Sequence, residues 1–256
     1  MEHHSLRETA AFGLSLLDLT ELDETAAPES IDALCRRAQT PFGNVAAICI
    51  LPRFVPRARL TLGNSHAIRI AAVVNFPDGG FELADVVSEA RQAVADGADE
   101  IELVIPHRTV AEGDGEAVKD MVAAVREACP PAVPVKAILE TGTLKDTVLI
   151  GKAASLAITA GAELVSTSAG HMADGATLEA ADILLRAIRA NGGKVGFKAA
   201  GGIDTVAVAI LYLRLAETIL ASDWAMPSTF RFGADGLLDD IVAILGSPPP
   251  ALRSSG

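Results

Sequence analysis

The chain has 256 residues, half of them hydrophobic and only 4% aromatic, with a net charge of −12. That is enough apolar sequence for one large domain with an aliphatic core, and barrels of about 250 residues often fold as one unit. So acidic a chain lacks the basic footprint that nucleic acid or an anionic membrane requires.

The three cysteines, Cys35, Cys49 and Cys129, are odd in number and scattered. They form neither a disulfide framework nor a metal-ligand spacing, and read as free thiols of a cytoplasmic protein. The N-terminus has no basic segment followed by an apolar run, so no signal peptide is expected. The longest apolar stretch, 206–220, is interrupted by Arg214 and Glu217 and is too short and too charged to span a bilayer.

In chain order, residues 2–12 read as an extra helix, placed to cover one end of the fold. Strands are predicted at 16–19, 45–51, 68–74, 101–105, 135–139, 164–167 and 195–198, with a weaker one at 230–232. Between them, helices are predicted at 84–95, 115–129, 145–160, 178–190 and 205–220. Alternating strands and helices imply a parallel sheet. Eight strands without a visible linker favour closure into a (β/α)8 TIM barrel, taken here as one domain over 1–246. A weak internal echo supports repetition: Gly97-Ala98 and Gly161-Ala162 each end a helix in a left-handed cap and lead into a strand. A doubly wound open sheet would want a Gly-rich fingerprint after its first strand, and Asp18-Leu19-Thr20 is not one. The Pro/Ser/Gly tail, 247–256, reads as flexible.

Chemistry in such a barrel sits at the C-terminal ends of the strands. Polar groups inside the apolar strands are therefore the candidates: Asp18, Cys49, Asn75, Glu102, Lys136, Ser166 and Lys198. A charge within a strand is costly unless it is paired. Glu102, Lys136 and Lys198, on three strands, fit either a structural ion network or an acid–base site with a lysine of depressed pKa. Cys49 reads as packing rather than as a nucleophile. Late Gly-rich loops, with Gly170 and His171, with Gly201 and Gly202, and with Gly233, fit anion binding next to a helix N-terminus, although turns need glycine anyway.

Several segments together resemble the deoxyribose-phosphate aldolases: Leu17-Asp18-Leu19-Thr20, Thr40-Pro41-Phe42-Gly43-Asn44, Ile48-Cys49-Ile50-Leu51-Pro52-Arg53-Phe54 and Val74-Asn75-Phe76-Pro77. So do Gly97-Ala98-Asp99-Glu100-Ile101-Glu102, Glu140-Thr141-Gly142, Gly196-Phe197-Lys198-Ala199-Ala200-Gly201-Gly202 and Arg231-Phe232-Gly233, in family order across nearly the whole chain. The resemblance implies a closed barrel, a small carbonyl substrate, no metal or organic cofactor, and a monomer or homodimer. It also implies an imine-forming lysine on the sixth strand, a second lysine on the seventh that lowers its pKa, and an acid and a lysine on the fourth and fifth that move protons.

Lys198, Lys136 and Glu102 match the last three roles, Glu102 being one methylene longer than the family's Asp. The imine position does not match. The family's Lys-Thr-Ser-x-Gly-Lys reads Ser166-Thr167-Ser168-Ala169-Gly170-His171, and a serine cannot form an imine. The family's phosphate-binding positions read His171, Asp204 and Asp235-Gly236. A carboxylate about 4 Å from a phosphate charge costs about 4 kcal/mol at an effective dielectric of 20. Asp204 and Asp235 are equally suited to be helix N-caps. Thr20, Thr167, Gly170, Gly201, Gly202 and Gly233 complete the expected substrate-binding set.

Three functions remain open on the sequence. One is a carbon–carbon lyase with Lys198 as the imine-forming amine, its pKa lowered by Lys136 or His171. The second is a catalytically silent relative that binds or regulates. The third is an isomerase or hydratase that polarises a carbonyl with Glu102, Lys136, Lys198 and Ser166 and forms no imine.

Overall fold

The computed structural model describes residues 5–64, 67–170 and 175–247. Eight parallel strands close into a barrel: β1 Leu17–Glu21, β2 Ala47–Ile50, β3 Arg69–Val74, β4 Glu100–Val104, β5 Val135–Ile138, β6 Leu164–Ser166, β7 Gly196–Ala200 and β8 Phe230–Gly233. Each strand pairs with the next, and β8 pairs with β1 through Leu17 opposite Phe232 and Asp18 opposite Gly233. The expected barrel is therefore present, with helices surrounding it.

The pleat sorts the side chains. Successive residues of a strand face opposite sides, so β8 directs Phe230 and Phe232 to the helices and Arg231 and Gly233 to the axis. Phe197 on β7 follows the same outward rule and meets Phe230 edge-on with ring centroids 5.5 Å apart. Phe232 meets Phe230 at 4.9 Å and Trp224 meets it at 6.5 Å. Four of the ten aromatic residues thus gather outside β7 and β8, and aliphatic residues supply most of the remaining packing. The interior alternates with them: Asp18 on β1, Cys49 on β2, Glu100 and Glu102 on β4, Lys136 on β5, Ser166 on β6 and Lys198 on β7 are all buried.

The first helix spans Leu6–Ser15, later than expected. Ser5 starts it with a capping box, its hydroxyl accepting from Glu8 N while the Glu8 carboxylate accepts from Ser5 N. Arg7 ties it to the end of the last helix by donating to the carbonyls of Ile244 and Ser247 at 3.2 and 2.9 Å. Residues 2–4 of the expected helix, and all of the expected tail except Ser247, lie outside the described residues. Gly97 and Gly161 both have φ of 105°, the left-handed caps foreseen from the Gly-Ala repeats.

Among the elements added to those predicted are two α-helices, Pro28–Arg37 and Val55–Leu62, and a two-stranded hairpin, Gln39–Thr40 with Gly43–Asn44. Both helices are short and begin at a proline in the first turn, where the missing N–H costs nothing. The last helix is Asp235–Gly246. Among the described residues no helix is long and apolar enough to cross a membrane.

Candidate active site

Six charged side chains meet inside the barrel and form a closed ring of alternating sign. Lys198 Nζ donates to Glu102 Oε1 and Oε2 at 2.7 and 2.9 Å. Lys136 Nζ donates to the same Glu102 Oε1 at 3.0 Å. On its other side Lys136 Nζ lies 2.6 Å from Glu100 Oε2, a charge contact without the direction of a hydrogen bond. Glu100 Oε1 accepts from Arg231 Nη2 at 3.0 Å, and Arg231 Nη1 donates to Asp18 Oδ1 at 2.6 Å. Asp18 Oδ2 closes the circuit, 3.2 Å from Lys198 Nζ, and reaches across it to Lys136 Nζ at 3.1 Å. Three cations and three carboxylates leave the ring neutral, which is how a barrel interior tolerates six buried charges.

The ring's charges hold one another. Burial works against the ammonium of Lys198, and the facing Cys49, Glu102 and Asp18 outweigh it, so Lys198 stays above the ordinary lysine range. Cys49 is itself pushed far up by burial and by Glu102. It is therefore a thiol at neutral pH, and the two carboxylates supply the field. Burial also opposes the charge on Lys136, but Asp18, Glu100 and Glu102 raise it. Burial would raise Asp18 and Glu102, and the lysines, joined by Arg231 for Asp18, hold both below the usual carboxylate range. The depressed lysine pKa expected at Lys198 is thus corrected: its cationic neighbour Lys136 is outvoted by two carboxylates in closer contact.

Lys198 reaches this position because β8 has a glycine beside it. A Cβ on Gly233 would stand 2.9 Å from both Lys198 Cε and Ala200 Cβ. Ser166, in register with Lys198, is wholly buried and donates its hydroxyl to the carbonyl of Ser168 at 2.9 Å. Thr167 bridges β6 and β7, with Oγ1 accepting from Ala200 N at 3.0 Å and donating to Ala200 O at 3.3 Å. Both hydroxyls are thus engaged with backbone, Ser166 in the β6 turn and Thr167 on β7.

Other expected substrate-binding residues separate. Asn75 is at φ 61° and gives both amide hydrogens to backbone, to Gly80 O at 2.9 Å and Val104 O at 2.8 Å, so no donor remains for a substrate. Asp18 belongs to the ring, and Cys49 is a buried thiol beside it. Thr20, Gly170 and Asp235 do come together at the C-terminal ends of the strands. With Asp23, Glu24, Thr25, Phe76 and Pro77 they line a cleft of about 480 Å³. Asp235 Oδ1 accepts from Thr20 N at 2.9 Å, and burial raises this carboxyl above its usual range.

Neither late aspartate is an N-cap. Thr205 caps Val206–Ile219 by accepting from Val208 N, and Asp235 is the first residue of its helix with no capping bond. Asp204 is exposed, and its Oδ1 lies against Gly236, where a Cβ would meet it at 2.6 Å. Gly202 lines a different cleft, with Thr141, Lys145 and Thr177, while Gly201 N donates to Gly233 O at 3.0 Å. His171 lies outside the described residues.

Glu100 and Arg231 complete the ring and were not among the candidates. Their signal was the period of two: Glu100 shares a face with Glu102, and Arg231 is a charge between two strand phenylalanines.

Comparison with known proteins follows the same lines. A model of the DeoC/LacD family aldolases matches residues 14–217. A deoxyribose-phosphate aldolase of Agrobacterium fabrum is 59% identical over 256 residues, covering 100% of this chain and 99% of that protein. The apo form of a Toxoplasma gondii ME49 chain assigned to deoxyribose-phosphate aldolase superposes with a TM-score of 0.87 at 27% identity, over 96% of this chain and 98% of its own. A tetrameric deoxyribose phosphate aldolase from Aeropyrum pernix, at 23% identity and a TM-score of 0.73 over 95% and 93% of the two chains, shares the fold. With four-fifths of its length inside the family model and a full-length relative at that identity, this chain belongs to the DeoC/LacD family of aldolases.

Proposed function

We propose that the protein is a carbon–carbon lyase acting on a small deoxy-sugar or aldehyde, with Lys198 supplying the amine that captures the carbonyl. The observation that carries this reading is the pair of hydrogen bonds that Lys198 Nζ donates to Glu102 at 2.7 and 2.9 Å. It pairs a primary amine with a base inside one buried site. The resting ring holds the Lys198 proton firmly, so the substrate must first displace this ion pair; the proton then passes to Glu102, and the free amine adds to the carbonyl carbon. The proton returns from Glu102 to the carbinolamine oxygen, which leaves as water and gives a protonated imine. Glu102 then removes the proton of the β-hydroxyl. The carbon–carbon bond breaks, its electron pair moving through the enamine to nitrogen, and an aldehyde leaves. Protonation of the enamine carbon from Glu102 and hydrolysis restore the site. Lys136 stays bound to Glu102 Oε1 throughout and limits how far its charge can rise.

The substrate of this reading carries no phosphate. The described residues of the cleft above the ring include Asp23, Glu24 and Asp235 and no lysine or arginine. Asp204 lies against Gly236, at the start of the last helix, where an anion would otherwise profit from the helix dipole. The Agrobacterium relative's name points to deoxyribose phosphate, and the acidic cleft points to the unphosphorylated sugar. All six ring residues come from one chain, which fits activity as a monomer or homodimer.

A second reading is favoured by the burial of Lys198, only 1% exposed and fully ion-paired. In it the ring is structural and the barrel is a silent relative. Assay of the purified protein separates the two. Acetaldehyde release from 2-deoxyribose that exceeds release from 2-deoxyribose 5-phosphate, and that Lys198→Met abolishes, supports the lyase. Absence of release from either sugar supports the silent barrel.

A further inference from the structure

The ring extends beyond the catalytic end. Glu100 and Arg231 form its far end and line a cavity of about 590 Å³ at the N-terminal ends of the strands. Ser15, Asn44, Arg69 and Glu163 lie in the same wall. Polar residues at this end of a barrel are ordinarily read as stability elements. Here they share partners with the opposite end. Glu100 and Glu102 compete for Lys136 at 2.6 and 3.0 Å, and Arg231 and Lys198 compete for the two oxygens of Asp18 at 2.6 and 3.2 Å.

We propose that Glu100 and Arg231 are positioning residues that set, from the N-terminal end of the barrel, how readily Lys198 gives up its proton. This rests on Lys198 being the reactive amine. The charge count carries the argument. With Glu100 neutral, the ring holds three cations and two carboxylates. Lys136 then leans wholly on Glu102 and Asp18 and weakens their hold on Lys198. Loss of the Lys198 proton restores neutrality. With Arg231 neutral, the excess is one negative charge, Asp18 turns to the lysines, and Lys198 holds its proton more firmly. The groups facing Glu100 are Lys136 on β5 and Arg231 on β8, with Arg69 on β3 and Glu163 before β6 in the cavity wall. Those facing Lys198 are Asp18, Glu102 and the Cys49 thiol. Glu163 is held by Arg126 at 2.8 Å, outside the ring.

Carbamylation by cyanate at a fixed pH of about 8.5, with Lys198 followed by peptide mass, reads the free-amine fraction without needing an imine; one pKa unit is about tenfold in rate. Glu100→Gln should label about tenfold faster than the parent and Arg231→Gln about tenfold slower, with the double variant within about threefold of the parent. A merely structural role would move both single variants in one direction and would not be reversed by combining them. Should Glu100→Gln not fold, adding it to Arg231→Gln must still speed labelling. Should Arg231→Gln not fold, Lys136→Met supplies the same excess of negative charge as the background. Shifts of the same sign, no reversal in the double variant, or no label on Lys198 in Glu100→Gln would overturn the proposal. Aldehyde trapping that fails while the cyanate pattern holds would remove the lyase reading and leave this one standing.

Discussion

Lys136 and Lys198 hold the same oxygen, Glu102 Oε1, at 3.0 and 2.7 Å. Without that carboxylate the ring would hold three cations against two anions, and the carboxylate is wholly buried. Glu102→Gln should therefore cost about 3–5 kcal/mol of unfolding free energy, the range for breaking a buried charge pair on one side. It should also abolish any lyase activity. Urea unfolding and the acetaldehyde assay measure the two effects. A change below about 1 kcal/mol would mean that the ring is wet or otherwise compensated.

Gly233→Ala tests the packing that aims Lys198. The new Cβ would sit 2.9 Å from Lys198 Cε and Ala200 Cβ, so one of them must move. Overpacking of this kind costs about 1–3 kcal/mol. Activity should fall with Lys198 displaced, and unfolding together with turnover on 2-deoxyribose would show both losses. Unchanged turnover would mean that the position of Lys198 is not set by this contact.

The pH dependence of stability follows from the direction of each shift. Asp18 and Glu102 are held below the usual carboxylate range by the lysines, against burial. Their contribution is present above the unfolded-state values, about 3.9 and 4.3, and is lost as pH falls through the folded ones. Lys136 and Lys198 are raised, so their contribution is present below about 10.4 and is lost only as pH rises through values beyond the ordinary lysine range. Asp235, raised by burial, acts in the opposite sense and costs stability once it ionises. Urea midpoints should form a plateau from about pH 5 to 10 and fall steeply below about pH 4. A midpoint that improves towards pH 3 would contradict the ion ring.

Much of this was legible in the strands. Eight runs such as 45–51 and 135–139, alternating with Ala-rich helices, point to a parallel barrel, and Glu102, Lys136 and Lys198 stand out as charges in apolar surroundings. What the sequence hid came from boundaries and from competition for partners. With β4 started at residue 101, Glu100 reads as turn, whereas the strand begins at Glu100 and points it inward. The pKa of Lys198 depends on which of its neighbours come closest, and a list of strand residues carries no distances. Asp204 and Asp235 have the right residue type to cap helices, yet Thr205 takes one cap, and Asp235 is drawn off by Thr20 N.

Ser166→Lys would add a fourth cation next to a neutral ring, in register with Lys198. Burial and like charge both favour the uncharged amine there. The substituted protein should form an acetaldehyde imine at residue 166 and gain aldol activity, read by peptide mass and by product formation. Failure on both counts would mean that the barrel mouth has been rebuilt beyond this one position.

The most direct test of the whole account is borohydride reduction of the native protein with acetaldehyde, followed by peptide mapping. The relocated amine predicts an ethyl group on Lys198 that is absent in Lys198→Met. An unmodified Lys198 in the native protein would contradict it.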